Sequence, residues 1–327
     1  PTRHPDELTS VEGKRLLDAA ARFGEGQLVV LSGGDPMKRG DLVDLVRYGT
    51  EQGLRMTLTP SGTEALTAEN IAELADAGLR RMALSIDAPE DAHDQFRGEA
   101  GSFRRTREAA TAAQEAGIPV QINTTVCKST VGTLPAVRDL VADLGAVLWS
   151  VFFLVPVGRG RLLAGLSPEH AESVLEWLQE TSESVSFGVK TTEAPSYRRV
   201  ALQRQGSATD APASDSIGRR GGIVAGDGFA FVSHTGELYP SGFLPKSAGN
   251  VTDRDLVSLY RDADLFEALR DRERLRGKCG VCEYRHVCGG SRSRAFATSG
   301  DPLGSDPLCA YVPDGYEGSL PWDDAGS

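Results

Sequence analysis

The sequence predicts an α/β fold in its first two thirds, followed by a small domain completed by a metal. Three observations predict it. A helical stretch that ends in Gly and runs into an apolar segment recurs four times. Polar residues recur at the far ends of those segments. Cys279, Cys282, Cys288 and Cys309, spaced C-x2-C-x5-C-x20-C, make up four of the five cysteines in 327 residues.

The elements follow in order. Pro1 to Glu7 is polar and extended in character, and a first strand is expected over Gln27 to Leu31. Gly53, Gly78, Gly117 and Gly145 then each close a helix and precede a strand, as glycine suits the left-handed position past a helix end. Ile71, Leu74 and Leu79, and again Leu140, Val141 and Leu144, repeat at helical spacing. The strand runs are apolar and β-branched, as in a parallel sheet covered by helices, and the unit length matches βα repeats. An open or partly closed α/β barrel and a doubly wound sheet both fit residues up to about 200. Either would gather ligands at the carboxyl ends of its strands.

Those ends are polar five times over. Ser32-Gly33-Gly34-Asp35-Pro36 follows the first strand; its glycines admit a ligand to the backbone, and its carboxylate suits an ammonium group. The same sequence also makes an ordinary turn. Thr59 to Gly62 follow the second strand, Ser85, Asp87 and Arg97 the third, and Asn123 to Thr125 the fourth. The fifth ends in Leu154-Val-Pro-Val-Gly158-Arg-Gly160. No Walker loop, no Gly-x-Gly-x-x-Gly after the first strand and no nucleophile elbow occurs in the sequence.

The rest of the chain changes character. Gln205 to Gly228 reads as a loop or linker, either a plain connection or a flap that faces substrate. Phe229 to Pro240 reads as a β-hairpin turning at His234 to Gly236, and Asp255 to Arg270 as one helix. Residues 229–327 then form a small domain whose core a metal would complete. Four clustered thiols can enclose an iron–sulfur cluster or a zinc ion. Cys127 is expected to be a core thiol and no ligand. A disulfide framework does not suit a long, cysteine-poor chain. A net charge of −11 disfavours nucleic-acid and membrane-surface partners, and no secretory or membrane-spanning segment is evident, so a soluble cytoplasmic protein is expected.

These residues resemble a radical S-adenosylmethionine enzyme with a C-terminal SPASM or twitch domain, nearest the haem-biosynthesis and peptide-maturase branches. The resemblance rests on Gly33-Gly34-Asp35-Pro36, Leu84-Ser85-Ile86-Asp87, Asp94-Gln-Phe-Arg97-Gly98, Gly236-Glu-Leu-Tyr-Pro240, Lys278-Cys-Gly-Val-Cys282, Cys288-Gly-Gly and Asp306-Pro-Leu-Cys309. It implies a partial (β/α)6, TIM-like barrel over residues 1–204, lacking its first strand. It implies S-adenosylmethionine as cofactor, a 5′-deoxyadenosyl radical that abstracts hydrogen from a tetrapyrrole-like or peptide substrate, and an electron donor such as flavodoxin or ferredoxin. Carried over by motif, Gly33, Gly34 and Asp35 would meet the methionine ammonium, with Asp35 in place of the usual Glu. Ser85, Asp87 and Asn123 would serve ribose or methionine polar atoms, Arg97 the methionine carboxylate, and Leu154 the adenine.

Two departures accompany the resemblance. The family's C-x3-C-x2-C segment, which binds the catalytic 4Fe-4S cluster, does not occur in the sequence. A truncated chain is the expectation, with a degenerate family member as the competing reading; as written, no catalytic residue is assigned. Ser241 stands where many SPASM domains have a cysteine, so a single auxiliary 4Fe-4S cluster is expected on Cys279, Cys282, Cys288 and Cys309. Arg292 and Arg294 are expected to be solvated, or else to tune that cluster or hold a substrate carboxylate. The alternatives are a non-catalytic zinc- or iron–sulfur-stabilised binding module and a plain scaffold.

Overall fold

Six strands pair in sequence order, each parallel to the next. They are β1 (Leu28–Leu31), β2 (Arg55–Leu58), β3 (Arg81–Ser85), β4 (Val120–Val126), β5 (Leu148–Phe153) and β6 (Gly188–Thr192). This is seen in a computed structural model, which describes residues 4–206 and 224–320. The sheet curls into a half-barrel, and its convex side is covered by α1 (Ser10–Ala21), α2 (Leu42–Glu51), α3 (Ala68–Asp76), α4 (Glu90–Arg97), α5 (Ser102–Glu115), α6 (Leu134–Asp143), α7 (Pro168–Ser184) and α8 (Ser196–Arg204). All four helix-ending glycines take positive φ, 78° at Gly53, 92° at Gly78, 76° at Gly117 and 58° at Gly145.

Strand period explains the core. Met82, Leu84, Ile122, Trp149, Val151 and Phe153 point to the helices and are buried together. Each such side chain contributes roughly 1.5–3 kcal/mol on leaving water. The buried Trp149 ring meets Trp177 edge-on at 6.0 Å, and its N–H donates to Thr124 Oγ1 at 2.8 Å. The alternate residues face the concave side. Ser85, Asn123, Ser150 and Lys190 are partners in register and form one row across four strands.

Strand β6 does not stand out in the sequence, because Gly-Val-Lys-Thr-Thr carries little apolar signal. It forms because the edge of β5 offers it a hydrogen-bonding partner and Val189 packs on the core. The expected single helix over Asp255–Arg270 is two, α9 (Leu256–Asp262) and α10 (Asp264–Arg270). Ala263 breaks it with an extended ψ of 130°, which turns Phe266 into a small cluster with Leu238, Leu256 and Leu259. The hairpin consists of β7 (Phe231–Val232) and β8 (Leu238–Tyr239), and the tail carries α11 (Gly277–Val281) and α12 (Arg292–Ser299). Residues 207–223, most of the expected linker, lie outside the described residues. No helix among the described residues is long and apolar enough to cross a membrane.

The tail is bound to the half-barrel by polar contacts. Glu193, just past β6, has φ +57°, unusual for a residue with a Cβ. Its carboxylate accepts from Ser241 (3.0 Å), Ser291 (2.5 Å) and Ser293 (2.8 Å), three hydroxyls of the second region. Arg22 and Asp255 add an ion pair at 2.5 Å.

Candidate active site and cysteine cage

The strand-end rim is built from loops that hold one another. Asp35 caps a short helical turn by accepting from Met37 N at 3.2 Å, and it reaches the neighbouring loop through Ser61 N at 3.4 Å and Thr63 Oγ1 at 2.7 Å. Both oxygens of the carboxylate are thereby engaged. Gly33 and Gly34 are exposed at φ +86° and +53°, and a side chain built on either would meet no atom within 4 Å. Their backbone is therefore open to a ligand, while Asp35 fixes the turn that presents it.

Asp87 lies at the end of β3 and is fully buried. Its Oδ1 accepts from Thr125 N at 2.7 Å, and its Oδ2 accepts from Arg97 Nε at 2.6 Å. Arg97 Nη2 is also 2.6 Å from Oδ2, yet the arginine side chain stays 34% exposed, so the guanidinium remains accessible at the rim. His93 sits four residues before Arg97 on α4, on the same face, as helix spacing requires. Its Nδ1 accepts from Asp87 N at 3.1 Å, and its Nε2 lies 3.3 Å from Ser102 Oγ. Burial, opposed by Asp87 and aided by Arg97, pushes its pKa down, which keeps the imidazole neutral. Asp94 caps α5 instead of facing the rim, accepting from Gly101 N at 2.5 Å and Phe103 N at 2.7 Å.

Ser85 and Asn123 share the concave row, and Asn123 Oδ1 accepts from Gln121 Nε2 at 2.7 Å. Leu154 follows β5 across the bowl; its carbonyl accepts from Arg294 Nε at 3.2 Å. The rim thus brings Ser85, Asp87, Arg97 and Asn123 to adjoining strands. Gly33, Gly34 and Asp35 lie toward β1, and Leu154 lies beyond β5.

The four tail cysteines line one cavity with Arg199, Lys278, Arg285, Gly289, Gly290, Tyr311 and Pro313. Backbone N–H groups aim at two of the sulfurs: Gly290 N at Cys288 Sγ and Asp306 N at Cys279 Sγ, each 3.4 Å. Arg292 Nη2 is 3.6 Å from Cys279 Sγ. Gly290 is required here, because at its φ of +66° a Cβ would lie 3.1 Å from Cys279 Sγ and 2.6 Å from Arg292 Nη2. Burial pushes the Cys282 thiol up to about 11, and it raises Cys288 and Cys309 as well. Thiols so disfavoured as free anions suit a site where a metal takes the proton's place. Arg199 comes from α8 and closes the cage from the barrel side. It pairs with Glu172 at 2.5 Å and stacks 5.0 Å from the Tyr311 ring, while its Nε is buried without a partner among the described residues. An anionic occupant would satisfy it. Among the described residues, no three Cys, His, Asp or Glu side chains converge as they would around a single ion.

Arg292 and Arg294 are not solvated. Arg292 is fully buried and donates to the carbonyls of Pro302 (3.0 Å) and Gly304 (2.7 Å). Arg294 pairs with buried Asp306 at 3.0 Å and donates to Glu193 O at 2.7 Å, tying the cage to the ends of β5 and β6. Neither is free to hold a substrate carboxylate. Cys127 is buried just past β4, with Ser129 Oγ 3.2 Å from its sulfur, far in sequence from the cage. His93, Glu193, Arg199 and Lys190 are missed by motif reading. Only the four-residue step from His93 to Arg97 carried a sequence signal.

Comparison with known proteins agrees with this geometry. The Radical SAM superfamily matches residues 1–139. The chain is 40% identical over 311 residues to an AdoMet-dependent heme synthase of Methanosarcina barkeri, covering 94% of this chain and 88% of that protein. It is 38% identical to another from Oleidesulfovibrio alaskensis, covering 95% and 81%. Among solved structures, Streptococcus suis SuiB bound to S-adenosylmethionine matches with a TM-score of 0.71 at 17% identity, covering 95% of this chain and 72% of that one. The chain belongs to the radical SAM superfamily.

Proposed function

We propose that this chain supplies the S-adenosylmethionine and substrate surfaces of a radical oxidoreductase that acts on a tetrapyrrole bearing carboxylates. The observation that carries the reading is the 40% identity to a heme synthase, which extends over the rim and the cage alike. The concave face supports it. A parallel sheet covered on both faces would be apolar on both, yet here Ser85, Gln121, Asn123, Thr125, Ser150 and Lys190 face inward. SuiB bound to precursor peptide SuiA is alike in fold alone at 17% identity, and a PqqA peptide cyclase is 29% identical, well below the 40% of the heme synthase.

In this reading the backbone of Gly33 and Gly34 receives the methionine ammonium, and the accessible part of Arg97 receives its carboxylate. Asp87 and His93 hold Arg97 in place. Ser85 and Asn123 offer hydroxyl and amide groups to the ribose, and Leu154 an apolar surface to the adenine. When bound beside a reduced cluster, the cofactor supplies a 5′-deoxyadenosyl radical that takes a hydrogen atom from substrate. That chemistry needs the three-cysteine segment of the family; this sequence contains none, and the proposal concerns the chain joined to such a segment. Tail thiols that ring a shared cavity favour an auxiliary iron–sulfur cluster over a single zinc ion, whose sulfurs would all lie about 2.3 Å from one point. Arg199 and Lys278 would offset its negative charge.

The test uses anaerobically prepared protein joined to a C-x3-C-x2-C segment, with reductant and S-adenosylmethionine. Release of 5′-deoxyadenosine is expected to rise on adding an iron porphyrin with four propionates. Release that responds to a peptide and not to the porphyrin would reassign the substrate.

A further inference from the structure

The protein carries a net charge of −11, yet none of its six barrel strands contains Asp or Glu. The charged residues on those strands are Arg55, Arg81 and Lys190. Arg55 is held at the foot of β2 by Gly26 O at 2.7 Å. Arg81 and Lys190 differ: among the described residues neither side chain makes a hydrogen bond or ion pair. Both face the concave side. Met82 and Val189, their neighbours in sequence, point to the helices, so Arg81 and Lys190 must point away from them. Lys190 shares the row of Ser85, Asn123 and Ser150, and Arg81 lies on the same face four residues below Ser85, at the start of β3. Lys190 is half-buried, and burial together with the charge of Arg81 lowers its pKa. Two cations inside one bowl, near enough to repel, are costly unless anions arrive.

The apolar part of the bowl is also present. Phe152, on the row above Lys190, meets Phe243 of the second region at 6.4 Å. Across the sheet Leu28 and Val30 are 51% and 45% exposed. An occupant with a flat apolar body and at least two acidic arms fits this surface.

We infer that Arg81 and Lys190 form the carboxylate clamp of the half-barrel, each seating one acidic arm of a tetrapyrrole whose ring lies against Phe152. This rests on the substrate reading above and assigns the residues that select for it. A charge-assisted bond to each arm would fix the ring's rotation, and therefore which arm faces the rim where Gly33 and Arg97 lie. A neutral or esterified ring would leave two half-buried cations unanswered and be rejected.

The experiment titrates coproporphyrin III and its tetramethyl ester, by absorbance, into the iron–sulfur-loaded full chain. Wild type is expected to prefer the free acid. Arg81→Gln and Lys190→Gln should each weaken acid binding by roughly tenfold to a hundredfold, leave ester binding unchanged, and erase the preference together. Arg81→Lys should recover much of the loss. Lys190→Met should also melt no lower than wild type, because an unpartnered, half-buried ammonium is removed. Variants that bind the acid like wild type, while wild type still prefers acid to ester, overturn the clamp and leave the substrate reading intact. A wild type that binds neither porphyrin overturns both. A Lys190→Met protein that melts lower and binds unchanged makes Lys190 structural and overturns the clamp.

Discussion

The concave barrel face and the cysteine cage both concentrate positive charge, but they treat it in opposite ways. In the cage Arg292 and Arg294 are buried with partners on carbonyls and on Asp306, and Lys278 donates to Cys309 O. On the barrel face Arg81 and Lys190 lack partners among the described residues. A site whose arginines are mostly paired within its own chain can hold an occupant for stability. A site that leaves them unanswered depends on what arrives. The difference teaches where stability and where selectivity are to be sought: the cage should govern whether the second region folds, and the bowl should govern what the enzyme accepts.

The sharpest way to break the comparison is at the cage. On the proposed auxiliary cluster, Cys288→Ala, or chelation of metal from wild type, should cost several kcal/mol, since the local apolar clusters are only a few residues each and metal ligation would carry the folding free energy there. Gly290→Ala should have nearly the same effect through the crowding of Cys279. Iron content and the melting midpoint of the second region check both. If the tail keeps its stability without metal, the cage is not the organising element.

A smaller effect is expected at the rim. Asp87→Asn keeps the shape but removes the charge that holds Arg97, and should lower unfolding free energy by about 1–3 kcal/mol while weakening S-adenosylmethionine binding. Urea denaturation and cofactor titration measure the two. Loss of stability without any change in cofactor affinity would move the Asp87–Arg97 pair into the structural class with Arg294–Asp306.

The smallest effect is a pH dependence at His93. Burial first, and the charge of Arg97 after it, depress its pKa in the folded state. The stabilisation from keeping it neutral is complete above its unfolded value, about 6.5. It is lost as pH falls from there through the folded value, because the unfolded chain takes the proton first. Denaturation curves at pH 7.5 and 5.5 should therefore diverge more for wild type than for His93→Gln. Equal slopes would show that the imidazole does not titrate with unfolding.

Much of this arrangement is legible in residues. Gly53, Gly78, Gly117 and Gly145 mark helix ends because few other residues hold a positive φ, and the four cysteines announce a shared cavity by spacing. Asn123 and Ser85 could be placed on one face by strand alternation alone. Lys190 could not, since a short strand with two threonines and a glycine looks like a loop until β5 pairs with it. Arg292 and Arg294 look like surface residues in sequence, and their burial depends on carbonyls contributed by Pro302, Gly304 and Glu193. Asp35 looks free to meet a ligand, but Thr63 and Ser61 from the next loop already engage it.

The βα order, the open backbone of the Gly33-Gly34 turn and the clustering of four thiols follow from the residues alone, because each depends on local backbone geometry or on covalent spacing. Only the tertiary structure decided which charges are answered. Asp87 finds Arg97 ten residues on, Glu193 finds serines about fifty and a hundred residues away, and Arg81 and Lys190 find one another across three strand spacings without a carboxylate between them. Electrostatic partnership is a matter of distance in space and of burial, and neither is written along the chain.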